Sequence, residues 1–110
     1  MPPHKYNAIR TWNDGHWFAS KREARRYTEL LLLESAGEIR DIELQPTYRL
    51  MAPTPDGSLV STAKYIADFR YLDIPSGDTV VEDVKGVRTQ IYKLKKRWVE
   101  AQYGLKIVEI

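Results

Sequence analysis

Two short acidic segments contain the residues best suited to chemistry. Asp68 lies within an apolar, β-prone stretch, and Asp83 is followed two positions later by Lys85 in a second such stretch. Because successive side chains of a strand point to opposite faces, Asp83 and Lys85 share one face, and Glu82 and Val84 share the other. Acids are uncommon among apolar strand neighbours, which favours a functional role. The pattern predicts an acid and a lysine side by side.

The segment between the two acids predicts how they meet. Residues 72–78 are rich in turn formers, so we expect the flanking strands to form an antiparallel hairpin. A turn centred on 75–76 places Asp68 opposite Asp83. Like charges directly opposite destabilise a sheet unless a cation lies between them, and Mg²⁺ or Mn²⁺ prefers carboxylate oxygen. A register shifted by one residue would present Glu82 instead, so Glu82 is the second choice of ligand.

Four blocks of sequence, in this order, resemble a known family. The blocks are Phe18–Ala24, Gln45–Tyr48, Tyr65–Phe69 and Val81–Gly86. Together they resemble DUF1064, a family of small phage-borne proteins. The order of Asp68 followed by Asp83-x-Lys85 also resembles the PD-(D/E)xK nuclease superfamily, with Ala67 in place of the usual proline.

The resemblance implies a deoxyribonuclease that hydrolyses DNA phosphodiester bonds with Mg²⁺ or Mn²⁺. Asp68, Asp83 and the backbone carbonyl of Val84 are then the expected metal ligands. Lys85 would lie beside the phosphate and offset developing negative charge. In several branches of the superfamily a glutamate of the first helix joins the site, and Glu23 occupies that position.

Glu23 also has a purely structural explanation. Ser20 followed three residues later by Glu23 is a capping box, in which the glutamate bonds back to the start of the helix. Glu23 lies at helical spacing with Tyr27 and Leu30, at the edge of the inward face. The sequence leaves both roles open.

Composition limits the classes of protein. With 110 residues and 43% hydrophobic content, the chain is expected to be a single small domain, 1–110, with 1–19 as an N-terminal hairpin extension. The absence of cysteine excludes disulfides and thiolate metal sites. Neither a membrane-spanning run, nor a signal peptide, nor a phosphate-binding glycine loop is visible. We therefore expect a cytoplasmic protein, in the host cytoplasm if phage-encoded, with no membrane association and no nucleotide cofactor.

Charge is distributed unevenly although the net charge is only +2. Basic residues cluster near the start of each predicted helix, where they could contact phosphates or form ordinary solvated faces. Because a negatively charged metal site flanked by basic helices suits a polyanionic substrate, the predicted carboxylates Asp68 and Asp83 favour the contact with phosphates. The residues expected to contact DNA are Lys21, Thr89, Gln90, Lys93 and Lys96.

The order of elements predicts an α/β fold. After the N-terminal hairpin (7–12 and 17–19) come a helix from Ser20 to Gly37, extended segments 38–44 and 45–51, the acidic hairpin, a helix from Thr89 or Gln90 to Gly104, and a strand 105–109. Apolar positions of the second helix, Ile91, Leu94, Trp98 and Ala101, follow helical spacing. Helix, three strands, helix, strand is the arrangement expected of the PD-(D/E)xK core, a mixed sheet flanked by helices.

Other functions stay open at this point. One is a branched-DNA endonuclease of the Holliday-junction-resolvase type. Another is a non-catalytic DNA-binding protein on a nuclease fold. Small size keeps a homodimer open as well, because a second subunit could complete the DNA-binding surface. The three tryptophans, Trp12, Trp17 and Trp98, are assigned to packing.

Overall fold

A mixed sheet of four strands organises the fold. The computed structural model describes residues 9–85 and 87–110. In chain order the elements are β1 (Thr11–Asn13), β2 (His16–Phe18), α1 (Lys21–Ser35), β3 (Ile39–Leu44), β4 (Thr47–Pro53), β5 (Leu59–Ile66), β6 (Phe69–Asp73), β7 (Thr79–Asp83), α2 (Gln90–Tyr103) and β8 (Ile107–Glu109). The central sheet has the order β3-β6-β7-β8, and β1-β2 and β4-β5 are separate two-stranded sheets. The predicted α/β class is confirmed.

The sheet combines both kinds of strand pairing. Strands β3, β6 and β7 are antiparallel neighbours, whereas β8 runs parallel to β7. A parallel pair needs a crossover connection, and α2 provides it. The strands of the central sheet and the two helices therefore follow one another along the chain as helix, three strands, helix and strand. The β4-β5 hairpin is inserted between β3 and β6.

One predicted strand is wrong. The stretch 65–69 is not continuous, because β5 ends at Ile66 and β6 begins at Phe69. Strand β5 pairs with β4, whereas β6 pairs with β3 and β7. Asp68 therefore lies at the junction between two strands and not in the middle of one.

Each face of the central sheet has its own core. On one face α1 packs with Leu30 against Phe69 and Tyr71 of β6. On the other, α2 and the β4-β5 hairpin pack against Val81 and Ile107. The alternation of side chains along β6 and β7 separates these two sets. Residues that face α2 are therefore distinct from those that face α1.

The ends of the helices follow their capping residues. Ser20 Oγ accepts a hydrogen bond from the Glu23 N–H at 3.1 Å, and Thr89 Oγ1 accepts one from the Tyr92 N–H at 3.1 Å. Helix α2 ends at Gly104, whose φ of 65° lies in the left-handed region. Both predicted starts are confirmed.

The apolar spacing of α2 does not mark its buried face. Ile91 and Leu94 are exposed, whereas Tyr92 and Val99 are buried against the sheet.

In the described part of the chain no helix is both long and apolar enough to cross a bilayer.

The N-terminal hairpin is present but shorter than predicted. Its turn consists of Asp14 and Gly15, both with positive φ. Residues 7 and 8 of the predicted first strand lie outside the described residues. Trp12 and Trp17 pair across the strands, with ring centroids 5.2 Å apart, and each is about half exposed. They pack against each other and not in the core, whereas Trp98 packs against the core on the α2 side.

Candidate active site

Asp83 and Lys85 lie together beside the first turn of α2. Asp83, the last residue of β7, is fully buried, and the Lys85 Nζ is 3.7 Å from its Oδ1. The Lys85 ammonium also lies over the ring of Tyr92, 4.5 Å from the centroid. Among the described residues, neither carboxylate oxygen of Asp83 has a hydrogen-bond partner. A buried carboxylate normally accepts several hydrogen bonds, so that of Asp83 is under-satisfied.

Asp68, at the junction between β5 and β6, lies next to the end of β7. The pairing of β6 with β7 runs from Leu72 with Thr79 to Phe69 with Glu82 and stops one residue short of Asp68 and Asp83. The backbone departs from that register at Asp68, because the Asp68 N–H donates to the carbonyl of Glu82, the residue already paired with Phe69, at 3.1 Å. The Asp68 Oδ2 accepts from the Val84 N–H at 2.6 Å. The register predicted from a turn at 75–76 is the one present between β6 and β7, but the predicted pairing of Asp68 with Asp83 lies beyond its last pair.

Glu23 and Asp68 line the same cleft. The cleft has a volume of about 160 Å³ and is bounded by the N-terminal hairpin, the start of α1 and the β3-β4 connection. Gln45 also lines it and has a left-handed φ of 53°. The Gln45 N–H donates to the Asp68 carbonyl at 3.0 Å, which ties this connection to the acid. Asp83 is not part of the cleft lining and lies beneath Lys85, whose side chain is 24% exposed.

The pKa values of the three carboxyl groups are raised, because these groups are buried with too little positive charge nearby to offset the burial. Burial raises the pKa of Glu23 to about 7, the Asp68 carboxylate adds to the rise, and Lys85 opposes it. Burial also raises the pKa of Asp83 to about 6, and Lys85 again opposes the shift. For Asp68, burial raises the pKa while the Val84 N–H lowers it. We call Glu23, Asp68, Asp83 and Lys85 the acidic site.

Glu82 points to the other face of the sheet. Its carboxylate accepts two hydrogen bonds from the Arg26 guanidinium, at 2.8 and 2.6 Å, and a third from the Tyr71 hydroxyl. Glu82 is 1% exposed, so this is a buried and fully paired charge. Glu82, the second choice of metal ligand in the sequence analysis, is therefore engaged within the protein by Arg26 and Tyr71.

Several neighbours of the acidic site were not anticipated. Arg22 donates to the carbonyls of Lys85, at 3.3 Å, and Ile110, at 2.9 Å, and so holds the chain after β7. Glu109 pairs in register with Asp83 and accepts a hydrogen bond from the Tyr92 hydroxyl at 2.8 Å. These partners come from distant parts of the chain. Of these neighbours, Tyr92 could have been found from the sequence, because it lies three residues after the predicted helix cap Thr89.

The predicted DNA-contacting residues divide into two groups. Lys21, Gln90 and Lys93 are exposed in the first turn of α1 or α2, and the first turn of α2 lies beside Lys85. Thr89 is also exposed, but its hydroxyl is engaged in capping α2. Lys96 lies 3.5 Å from Glu109 and is bound to the protein itself.

The donors of the acidic site suit a hard divalent cation. Within the described ranges, no three side chains among Asp, Glu, His and Cys form a ready-made metal cluster. Mg²⁺ does not need one, because it is usually held by one or two carboxylates together with waters and substrate oxygens. Asp68 and Asp83 supply two carboxylates, and the oxygens of Asp83, which accept no hydrogen bond within the part of the chain that the structure describes, are the observation that fits a cation. Glu23 is a third carboxylate, and it lines the cleft together with Asp68.

These features define a small α/β domain with a buried site of carboxylates and one lysine. The chain belongs to the family described as "Protein of unknown function (DUF1064)", which it matches over residues 3–108. Neither the curated proteins nor the solved structures contain a match to it.

Proposed function

We propose that this protein is a divalent-metal-dependent endodeoxyribonuclease of the PD-(D/E)xK superfamily, encoded by a phage. The single observation that carries the proposal is the contrast between Glu82 and Asp83. These adjacent residues of β7 are both buried, but Glu82 is bound by Arg26 and Tyr71, whereas no residue in 9–85 or 87–110 donates a hydrogen bond to the Asp83 carboxylate. Leaving a buried polar group unpaired costs about 1–3 kcal/mol or more, which folding alone does not explain.

The proposed mechanism assigns a role to each residue of the acidic site. Asp68 and Asp83, with the backbone carbonyl of Val84, would hold the metal, whose contribution when bound would be Lewis-acid stabilisation of the phosphate and a lower pKa of bound water. Lys85 would stabilise negative charge on the phosphate. Because Asp83 is covered, Lys85 must move from its position over Tyr92 for the metal to reach both acids. Glu23, with a pKa raised to about 7, can accept or return a proton at the cleft near neutral pH.

Lys21, Gln90 and Lys93 support the choice of a polyanionic substrate. They are exposed in the first turns of the two helices, and Gln90 and Lys93 belong to the turn beside Lys85. The positive end of a helix dipole adds to the attraction of phosphate at that turn. A DNA backbone that reaches the acidic site could therefore also contact α2.

The test is cleavage of supercoiled plasmid and of end-labelled duplex and four-way-junction DNA in Mg²⁺ or Mn²⁺. We expect cleavage that EDTA abolishes, and a rate about 100-fold to 1000-fold lower in Asp83→Asn and Lys85→Ala. Matched controls are Asp78→Asn in an exposed turn and Lys106→Gln on the surface, which should retain full activity. Circular dichroism establishes that each variant is folded.

The outcomes separate the alternatives. Cleavage of the junction alone supports a branched-DNA endonuclease. Metal-independent binding of DNA with no cleavage of any substrate by the wild type supports a non-catalytic DNA-binding protein and overturns the hydrolase proposal. Activity that persists at the wild-type rate in Asp83→Asn and Lys85→Ala also contradicts the proposed site.

A further inference from the structure

The β4-β5 hairpin presents a basic, polar face to solvent. Arg49 of β4 and Lys64 of β5 are direct cross-strand partners, and both are exposed. They line an open concave surface of about 420 Å³ together with hydroxyl-bearing residues of the same two strands, Thr47, Ser61 and Thr62. We call Thr47, Arg49, Thr62 and Lys64 the hairpin face. It is separate from the cleft that Glu23 and Asp68 line.

The pairing of Arg49 with Lys64 does not stabilise the hairpin. Like charges directly opposite each other in an antiparallel pair are destabilising. Among residues 9–85 and 87–110, no ion pair connects either side chain to a carboxylate. A single lysine would be enough to discourage association at a strand edge. The two cations and the hydroxyls therefore indicate a ligand with negative charge.

The hairpin is held firmly enough to act as a preformed surface. Its opposite side is buried in the α2 core through Tyr48 and Leu50. The backbone of Arg49 is fixed as well, because its carbonyl accepts hydrogen bonds from Gln102 Nε2 at 3.0 Å and the Tyr103 hydroxyl at 2.8 Å. A register shift between Leu50 and Met51 increases the local twist of the hairpin. Binding here would need little ordering of the backbone.

We propose that the hairpin face binds the phosphate backbone of duplex DNA that extends from the acidic site. The chain connects the two directly, because Gln45 lines the cleft and β4 begins two residues later. Arg49 is four residues beyond Gln45, or roughly 14 Å along an extended strand. At a rise of about 3.4 Å per nucleotide, this corresponds to a phosphate about four nucleotides from the one in the cleft. The choice of DNA as ligand rests on the proposed function.

The test measures DNA binding without catalysis. Fluorescence anisotropy of a labelled 30-base-pair duplex is followed in EDTA from 0.1 to 1 M salt. The double variant Arg49→Gln/Lys64→Gln is compared with Arg40→Gln/Lys106→Gln, which removes the same charge from exposed positions elsewhere. Losing two phosphate contacts should lower the salt slope by about 1.8 and the affinity at 0.1 M by about 60-fold. The variant Arg49→Lys/Lys64→Arg should bind within about threefold of the wild type.

Each result decides one question. Equal losses in the hairpin variant and in the control pair would show that only net charge matters and would overturn the proposal. An unchanged salt slope in the hairpin variant would do the same. Because EDTA prevents metal-dependent cleavage, the result does not depend on nuclease activity. A chain that cleaves DNA but shows no hairpin effect contradicts only this proposal, and a chain that shows the hairpin effect without cleavage contradicts only the hydrolase.

Discussion

Replacing Asp83 by asparagine should stabilise the metal-free protein at alkaline pH. Burial raises the pKa of Asp83 from 3.8 to about 6, so keeping it ionised above pH 6 costs the folded state. A rise of about two units corresponds to roughly 3 kcal/mol, at about 1.4 kcal/mol per unit. The buried amide would itself lose about 1 kcal/mol of hydrogen bonding to water. The expected net gain for Asp83→Asn is therefore about 2 kcal/mol at pH 8.

The sign of this effect depends on pH in a defined way. The folded state binds the Asp83 proton more tightly than the unfolded state does, so the wild type loses stability as pH rises from about 4 to about 6. At pH 4 the side chain is protonated in the folded state, and the variant should match the wild type. Urea unfolding at pH 4, 6 and 8 in EDTA, followed by circular dichroism, measures the free energy of unfolding. Asp78→Asn, in an exposed turn, should stay within about 0.5 kcal/mol at every pH.

Metal should reverse the order of stability. A cation that binds only the folded state adds about 2.7 kcal/mol at a hundredfold excess over its Kd. We expect Mg²⁺ or Mn²⁺ to raise the unfolding midpoint of the wild type and to leave that of Asp83→Asn unchanged. The reasoning is refuted if Asp83→Asn is destabilised at pH 8 in EDTA, because the carboxylate would then be a structural partner of Lys85 and not a group kept for a ligand.

Three further changes test neighbouring parts of the structure. Glu23→Gln should reduce the stability that the metal-free protein loses as the pH rises from about 5 to 7, because the pKa of Glu23 is raised to about 7. Urea unfolding at each pH measures this loss. Arg26→Met should cost about 3–5 kcal/mol in urea unfolding, since it leaves Glu82 charged and buried; an equal cost in the Glu82→Gln background would contradict a direct interaction. Ser20→Ala should lower the free energy of unfolding by about 1 kcal/mol, because it removes the cap of α1. In a thermal scan, metal should stabilise this variant as much as it stabilises the wild type.

The acidic hairpin could be predicted because its information is local. Alternation of side chains places Asp83 and Lys85 on one face, and the symmetric turn fixes the register of β6 with β7, whose last pair, Phe69 with Glu82, precedes Asp68 and Asp83 by one residue. The break before β6 could not be predicted in this way. The Ala67 N–H donates to the Pro46 carbonyl, whereas the next N–H, of Asp68, donates to Glu82. The chain changes its pairing partner between two adjacent residues, and the β-propensities of those residues do not indicate the change.

The second helix shows a related limit of periodicity. Ile91 and Leu94 have the spacing of a buried stripe but are exposed. The buried positions are Tyr92 and Val99, and Tyr92 is held there by its polar end, since its hydroxyl donates to Glu109 at 2.8 Å. A pattern that counts only apolar residues gives no weight to a tyrosine anchored by a carboxylate. The side of α2 that faces the sheet was therefore decided by contacts with β8, which the helix sequence does not contain.

Glu82 and Asp83 show why the acidic pattern could not be interpreted fully from sequence. Either acid could have been the unpartnered one, because the difference lies in Arg26, which is 56 residues away in the chain and reaches only the α1 face of β7. On that face a guanidinium and a hydroxyl satisfy the carboxylate. On the α2 face the Lys85 ammonium lies 3.7 Å from Asp83, and no described residue donates a hydrogen bond to that carboxylate. A protein selected only for stability could have matched both faces, so the unmatched side is where a bound cation would complete the charge balance.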